Sequence, residues 1–232
     1  MKQFLVRLAF SVAALLPASS VLAADLDIPP PPVEELRPAT YDWSGAYVGV
    51  WAGVACMDGT ATDTIANTDY LLAGCGGKGG GLVGYNYQID SLVLGVEADY
   101  GWGGKIAKNP DPAVAIAYKL NSIGTLRGRV GYAIDDTLLF VTGGLAYANG
   151  EFSGLAGPAP SVPFSLDKSY MGWTIGGGVE QAITDNFHLR MDYLYTHMGT
   201  KTYDVCATCK VDVNWGGEHE VRLAAIWAFG TW

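Results

Sequence analysis

The chain of 232 residues carries a net charge of −9, and only 16% of its residues are charged although it contains 31 Gly, 13 Tyr and 7 Trp. An acidic chain of this kind lacks the basic surface that nucleic-acid-binding proteins need. A transmembrane helix needs an apolar run of about eighteen residues or more. The sequence after the N-terminal segment contains no such run. So many aromatic side chains, with so few charges, indicate that the folded chain faces an interface other than bulk water.

The N-terminus has the pattern of an export signal. Lys2 and Arg7 supply positive charge, the apolar stretch 8–16 follows, and small residues precede the expected cut. The apolar stretch is too short to anchor the chain in a bilayer. We therefore predict a cleaved signal peptide over residues 1–23, with cleavage after Ala24 as the alternative.

Residues 24–42 form a proline-rich segment. Four consecutive prolines occupy positions 29–32, and two glutamates follow at positions 34 and 35. Such a composition favours an extended, hydrated chain without a core. We predict a periplasmic linker over 24–42, followed by the folded domain over 43–232.

From position 43 onward the apolar residues recur with the period of two that is typical of β-strands. In the clearest case, residues 92–102, Leu94 and Val96 share one face with Trp102, whereas Glu97 and Asp99 lie on the other. An apolar face that ends in aromatic residues is the pattern of a strand that faces lipid. The alternation predicts eight strands, at residues 43–55, 79–88, 92–102, 123–133, 138–148, 171–182, 187–196 and 221–229.

The connections between these strands alternate in length. Three are short turns with Asp or Asn, and four are long: the short ones are 89–90, 134–136 and 184–186, and the long ones are 56–78, 103–121, 149–169 and 200–219. Short turns at one end and long loops at the other are typical of outer-membrane barrels. The predicted fold is all-β, a closed antiparallel eight-stranded transmembrane β-barrel with short periplasmic turns and long extracellular loops.

The inward faces of the strands carry four acidic and four basic side chains. These are Glu97, Asp99, Arg127, Arg129, Glu180, Arg190, Asp192 and Arg222. Unpaired charges are costly in a lumen of low dielectric constant, so we expect an ion-paired network that fills the narrow interior of an eight-stranded barrel. The alternative interpretation is a selective or proton-linked channel.

Four cysteines, Cys56, Cys75, Cys206 and Cys209, suit an oxidising compartment. Three pairings are possible, and the simplest joins Cys56 to Cys75 and Cys206 to Cys209. A zinc site is disfavoured because a four-cysteine site normally has two closely spaced pairs.

Neither a catalytic motif nor a cofactor motif is present. His197 and His219, with Glu218 and Glu220, could approach one another near the long-loop end, but no motif joins them to a serine. The two histidines are also candidate contacts for haemin or a divalent metal. We predict no enzyme activity, no cofactor and no resident metal.

Several motifs in order resemble those of small outer-membrane β-barrel proteins of the porin-family or surface-antigen type. The motifs are WSGAYVG at 43–49, LGVEAD at 94–99, GTLRGRVGY at 124–132, TGGLAY at 142–147, GWTIGGGVE at 172–180 and MDYLY at 191–195. The resemblance covers essentially the whole mature chain. The family usually ends in an aromatic residue at a different spacing from Trp232, and loop cysteines are not part of its usual pattern.

The resemblance implies an eight-stranded barrel in the cell outer membrane of a Gram-negative bacterium, in contact with lipid and recognised by the barrel-assembly machinery. It also implies an abundant surface antigen without catalytic residues, and some relatives bind haemin. The expected function is structural and surface-exposed; the alternatives are a small-solute channel, and haemin binding or adhesion through the loops. The extracellular partner is left open.

Overall fold

A computed structural model describes residues 41–63, 68–108, 116–156, 162–204 and 210–230, all within one compact unit, Arg37–Trp232. Within these ranges, no helix has the length and apolar character needed to cross a membrane. The strands are β1 (Gly45–Asp63), β2 (Thr68–Ile89), β3 (Leu92–Lys108), β4 (Ile116–Ile134), β5 (Thr137–Ala156), β6 (Val162–Ala182), β7 (Phe187–His197), β8 (Gly199–Asp204) and β9 (Lys210–Phe229).

The strands close into a ring. From β1 to β7 each strand pairs antiparallel with the next along the chain, and β9 pairs with both β7 and β1 to complete the ring. Both β7 and β8 pair with β9, and only Met198 separates them, just before Gly199 with its positive φ of 71°. Because β8 continues the line of β7, the ring has eight strands. The predicted fold class is confirmed.

The short turns lie where the sequence predicts them. Asp90 and Asp135 adopt φ angles of 54° and 52° between β2 and β3 and between β4 and β5. Aspartate tolerates this left-handed conformation better than most residues, which suits a tight turn. These turns form the periplasmic end of the barrel.

The strands are longer than the sequence predicts. Several have 17 to 22 residues, whereas about 9–11 are enough to cross a bilayer. Much of each predicted long connection (56–78, 103–121, 149–169 and 200–219) is therefore strand that extends beyond the membrane. The reason is a second apolar interior, because Met57, Ala61 and Leu72 are buried inside these extensions and stabilise them.

The outer wall is apolar over the height of a membrane and bounded by aromatic rings. Val50 and Val96 are 66% and 59% exposed there, as expected for side chains that face lipid. We call the upper aromatic set the extracellular girdle and the lower set the periplasmic girdle. The extracellular girdle comprises Tyr100, Trp102, Tyr147, Trp173 and Tyr193, and the periplasmic girdle comprises Tyr85, Tyr87, Tyr132, Trp227 and Phe229.

Inward glycines make room for large inward side chains. A Cβ at Gly84 would lie 2.3 Å from the Tyr47 ring, and one at Gly101 would lie 2.4 Å from the Trp51 ring. Both contacts are closer than any side chain tolerates. The glycines of β2 and β3 therefore let aromatic residues of β1 occupy the lumen.

Candidate functional site in the lumen

The eight charged residues predicted to face inward are all buried inside the barrel. They come from five strands: Glu97 and Asp99 from β3, Arg127 and Arg129 from β4, Glu180 from β6, Arg190 and Asp192 from β7, and Arg222 from β9. Their side chains meet because each lies on the lumen side of its strand, where the period of two places it. We call this set the lumen network.

Glu97 is at the centre of the lumen network. Its carboxylate accepts hydrogen bonds from Arg127 at 2.5 Å and from Arg190 at 2.6 Å. Arg190 also donates to Glu180 at 2.9 Å, and Arg129 donates to the same carboxylate at 3.0 Å. Guanidinium groups that each bridge two carboxylates give a rigid, charge-assisted arrangement.

A second branch runs toward β9. Arg127 lies 2.6 Å from Asp99, and Arg222 lies 3.3 Å from the same carboxylate. Arg222 also pairs with Asp192 at 2.5 Å. The Thr125 hydroxyl donates to Asp99 at 2.8 Å. All eight residues thus belong to one connected set of ion pairs.

Aromatic rings enclose the arginines of the lumen network. The Tyr47 hydroxyl donates to Glu97 at 2.9 Å and accepts from Arg129 at 3.1 Å. The Arg129 guanidinium also lies 4.1 Å from the centre of the Phe140 ring. Such stacking favours the cation and occupies space that water would otherwise fill.

Among the residues that the structure describes, three further Lys and Glu side chains lie inside the barrel although they were not predicted there. Lys78 donates to Glu218 at 2.5 Å and pairs with Glu220 at 3.0 Å. Lys78 was missed because its segment was predicted to be a loop. The signal for the glutamates was available, since positions 218 and 220 share the inward period of Arg222 on β9.

The same period of two places the two glutamates and the two histidines, which were predicted to approach one another, on opposite faces of the wall. His197 and His219 face outward in the region of the extracellular girdle, whereas Glu218 and Glu220 face the lumen. The Tyr193 hydroxyl lies 2.6 Å from Nδ1 of His219. Contact of these histidines with haemin stays a prediction. Within the described ranges, no group of three or more potential ligand side chains is arranged to hold a metal ion.

The residues just before β1 cover the periplasmic end of the lumen. Trp43, predicted to begin the first strand, precedes β1 and is only 4% exposed. Tyr41, predicted to lie in the linker, donates its hydroxyl hydrogen to the carbonyl of Asp185 at 2.7 Å and lies 2.6 Å from Nε2 of His188. Burial, and next the negative charge of Asp185, raise the pKa of Tyr41 to about 12, so its hydroxyl stays protonated.

An apolar cluster fills the lumen on the extracellular side. Phe152, Tyr170 and Tyr203 are fully or almost fully buried there, and the two tyrosine hydroxyls lie 2.5 Å apart. Burial raises the pKa of Tyr203, and its bond to Tyr170 raises it further. The cluster comprises Met57, Ala61, Leu72, Leu120, Ile123, Ala146, Ala148, Phe152, Tyr170, Met198, Tyr203 and Val213.

Cys56 and Cys75 form a disulfide directly across β1 and β2. Both residues lie on the outward face, on the extracellular side of the apolar band. Cys206 and Cys209 lie outside the described residues, so their pairing stays a prediction.

Comparison with known proteins identifies the family. The sequence model of the outer membrane protein beta-barrel domain matches residues 11–216. The chain belongs to this family. It is therefore an integral β-barrel of the cell outer membrane, in contact with lipid.

Named relatives are similar over most of their length. The 31 kDa outer-membrane immunogenic protein of Brucella melitensis is 34% identical over 208 residues, which cover 82% of this chain and 86% of that protein. The 25 kDa outer-membrane immunogenic protein of Brucella abortus is also 34% identical, over 84% of this chain and 86% of its own. The 22 kDa outer membrane protein of Rhizobium leguminosarum is 32% identical, over 70% and 68%.

Among solved structures, the outer membrane protein OprG from Pseudomonas aeruginosa matches with a TM-score of 0.52. The match covers 83% of this chain and 99% of that chain at 10% identity. At this identity the likeness shows the fold alone.

Proposed function

We propose that this family member is a closed barrel with a structural and surface-exposed role in the outer membrane, and that it is neither a solute channel nor an enzyme. The observation that carries the proposal is the filling of the lumen at three levels. Trp43 and Tyr41 cover the periplasmic end, the lumen network fills the middle, and the apolar cluster fills the extracellular half.

The apolar cluster and the lumen network oppose conduction for different reasons. An ion that crosses the apolar cluster loses its hydration and finds little to replace it, because the hydroxyls of Tyr170 and Tyr203 are bonded to each other, so the crossing is costly. In the lumen network, each arginine already pairs with carboxylates, so a passing ion would have to displace a short charge-assisted bond. A solute therefore meets a barrier at both of these levels.

The extended strands suit a surface-exposed role. They carry the barrel wall beyond the extracellular girdle and present polar residues such as Lys119, Asp167 and Thr200 to the outside. The Brucella relatives are named immunogenic outer-membrane proteins, which supports a surface-antigen role for this chain. We further propose export by cleavage of residues 1–23, with 24–42 in the periplasm, and insertion by the barrel-assembly machinery.

Single-channel conductance in a planar lipid bilayer tests the proposal. We expect no stable current steps from refolded protein whose insertion is shown by protection of its strands from added protease. Silence from inserted protein would support a closed barrel with function on its outer surface. Steady, reproducible steps would overturn it.

The second candidate, a small-solute channel, is favoured by one observation. Within the described residues, Nε and Nη1 of Arg127, Nε of Arg129 and Nη2 of Arg190 have no hydrogen-bond acceptor. Buried N–H groups are normally paired with protein or with ordered water, so these positions are suited to water in the lumen. If current steps are seen, Arg190→Met should shift ion selectivity toward cations, because it removes a lumen cation.

A further inference from the structure

The outer wall changes abruptly from apolar to polar on β4, β5 and β6. Along β5, Leu145 and Tyr147 face outward, and the next outward residue is Asn149. On β6, Met171 and Trp173 face outward, and the next toward the outside is Ser169, the direct cross-strand partner of Asn149. The polar surface therefore begins immediately beyond the extracellular girdle.

This surface contains a recess of about 610 Å³, within the size range of small-molecule sites. It is lined mainly from the outer face of the wall: Asn149, Asp167 and Ser169 are on the outward period, whereas Gly150 and Lys168 are on the inward period of the same strands. The lining residues are Asn121, Asn149, Gly150, Asp167, Lys168 and Ser169. We call it the wall recess.

Hydrogen bonds hold the floor of the wall recess in place. The Ser169 hydroxyl donates to Oδ1 of Asn149 at 2.9 Å. The Tyr147 hydroxyl, at the level of the girdle, lies 3.0 Å from Oγ of Ser169 and 3.2 Å from Oδ1 of Asn149. The amide nitrogen of Asn149 donates to Ser122 at 3.4 Å. The recess is thus a prearranged set of amide and hydroxyl groups.

The charge of the recess disfavours a phosphate. Its one lysine, Lys168, donates its ammonium hydrogen to the carbonyl of Thr202 and lies 5.0 Å from the centre of the Tyr203 ring, so its charge is directed toward β8. Asp167 lines the recess, and Glu151 is its direct cross-strand partner. Amide, hydroxyl and carboxylate groups can all hydrogen-bond to the hydroxyl groups of a sugar, and the carboxylate of Asp167 would repel an anion.

The opposite wall is less polar next to the apolar band. On β1 and β2, the outward residues on the extracellular side include Val54, Leu71 and the Cys56–Cys75 disulfide. Val54 and Leu71 are exposed, and neither can hydrogen-bond through its side chain. Polar residues of β1 and β2, such as Asp58 and the bonded pair Thr62 and Asp69, lie further toward the strand ends. The two walls therefore differ in which residues lie next to the apolar band.

We propose that the wall recess binds the saccharide headgroup of a glycolipid of the outer leaflet. The recess opens sideways, directly above aromatic and apolar side chains that contact acyl chains in the outer-membrane location shown by the family. A lipid whose chains lie against Tyr147 and Met171 places its headgroup at Asn149 and Ser169. The amide and hydroxyl groups then bind sugar hydroxyls.

Native mass spectrometry of refolded full-length protein in a polyoxyethylene detergent, which has no sugar, tests the proposal. The probes are dodecyl maltoside as an uncharged glycolipid, phosphatidylglycerol as a lipid without a sugar headgroup, and free maltose. We expect retention of dodecyl maltoside in preference to the other two. Asn149→Leu with Ser169→Ala should weaken that retention about tenfold, as expected for the loss of one or two hydrogen bonds.

A matched control lies at the other end of the same two strands. Thr137 and Gln181 are also direct partners on the outer wall of β5 and β6, and the Thr137 hydroxyl donates to Gln181 at 2.7 Å. Thr137→Ala with Gln181→Leu should leave glycolipid retention unchanged, and circular dichroism should show the same strand content for both double variants.

Three results would overturn the proposal. Equal retention of dodecyl maltoside by the wild type and the Asn149→Leu, Ser169→Ala variant would show that the recess is not the site. If free maltose were retained as well as dodecyl maltoside, the recess would bind a soluble saccharide and not a glycolipid. Equal retention of phosphatidylglycerol, lost in the same variant, would point to lipid binding without sugar recognition.

Discussion

At the scale of single residues, the lumen network depends on arginines that each serve more than one carboxylate. Arg190 donates to both Glu97 and Glu180, and its side chain is only 1% exposed. Loss of one partner from a buried ion pair leaves a charge without compensation, which costs more than the pair contributes as a whole. The network therefore makes the folded barrel sensitive to single substitutions.

Replacement of Arg190 tests this sensitivity. Arg190→Met should lower the free energy of unfolding by about 3–5 kcal/mol, because two buried carboxylates lose a cation. Lys201→Met, at an exposed lysine of β8, should change it by less than about 0.5 kcal/mol. Urea unfolding of both variants in lipid vesicles, followed by tryptophan fluorescence, measures the difference. Equal stability of the two variants would mean that lumen water replaces the guanidinium at little cost.

At the scale of the elements, the strands extend beyond the bilayer because their inner faces bury a second core. The unpaired backbone groups at the edge of a long hairpin promote aggregation, and pairing around the ring satisfies these groups over most of the length of each strand. The first hairpin, β1 and β2, is also joined covalently by Cys56 and Cys75. This link restricts the unfolded chain across a sequence separation of 19 residues.

The disulfide is open to direct measurement. Cleavage of the unreduced protein before Asp58, Asp63 and Asp69 places the two cysteines on different peptides, so mass spectrometry should find Cys56 linked to Cys75. Serine at both positions should lower stability by about 3 kcal/mol, the loop-closure contribution at this separation. Free thiols, or links from either cysteine to position 206 or 209, would contradict the pairing.

At the scale of the whole molecule, one ring separates the lipid outside from charged and aromatic side chains inside. Large apolar side chains face outward between the two girdles, and charged side chains face inward at the same height. This arrangement inverts that of a soluble protein and is stable only because the outer wall lies in hydrocarbon. Closure of β9 on β1 leaves the membrane-spanning strands paired on both sides.

The depth of the wall in the bilayer predicts the cost of a new charge. Replacement of Val96, in the middle of the apolar band, by Arg should lower the free energy of unfolding by about 2–4 kcal/mol. Ile134 faces outward beside the periplasmic turn at Asp135. Its replacement by Arg should lower the free energy of unfolding by only about 0–1 kcal/mol. Unfolding of refolded protein in vesicles gives both values. A larger cost at position 134 would place the bilayer elsewhere on the barrel.

The sequence alone determined the barrel, the strands that cross the membrane and the inward direction of the eight charges of the lumen network. It did so because a strand between lipid and lumen must alternate in polarity at every second residue. Glu97 and Arg222 could thus be assigned to the lumen one strand at a time. Local turn chemistry likewise marked the periplasmic turns at Asp90 and Asp135.

Only the tertiary structure decided which of these residues meet. Arg190 and Glu97 are 93 positions apart and lie on β7 and β3, which are not neighbours in the ring, so their contact depends on closure and strand stagger. Lys78 lies in the lumen because β2 extends further than predicted. Trp43 is buried because the residues that precede β1 turn toward the interior of the barrel. Local periodicity carries no information on such distances across a closed ring.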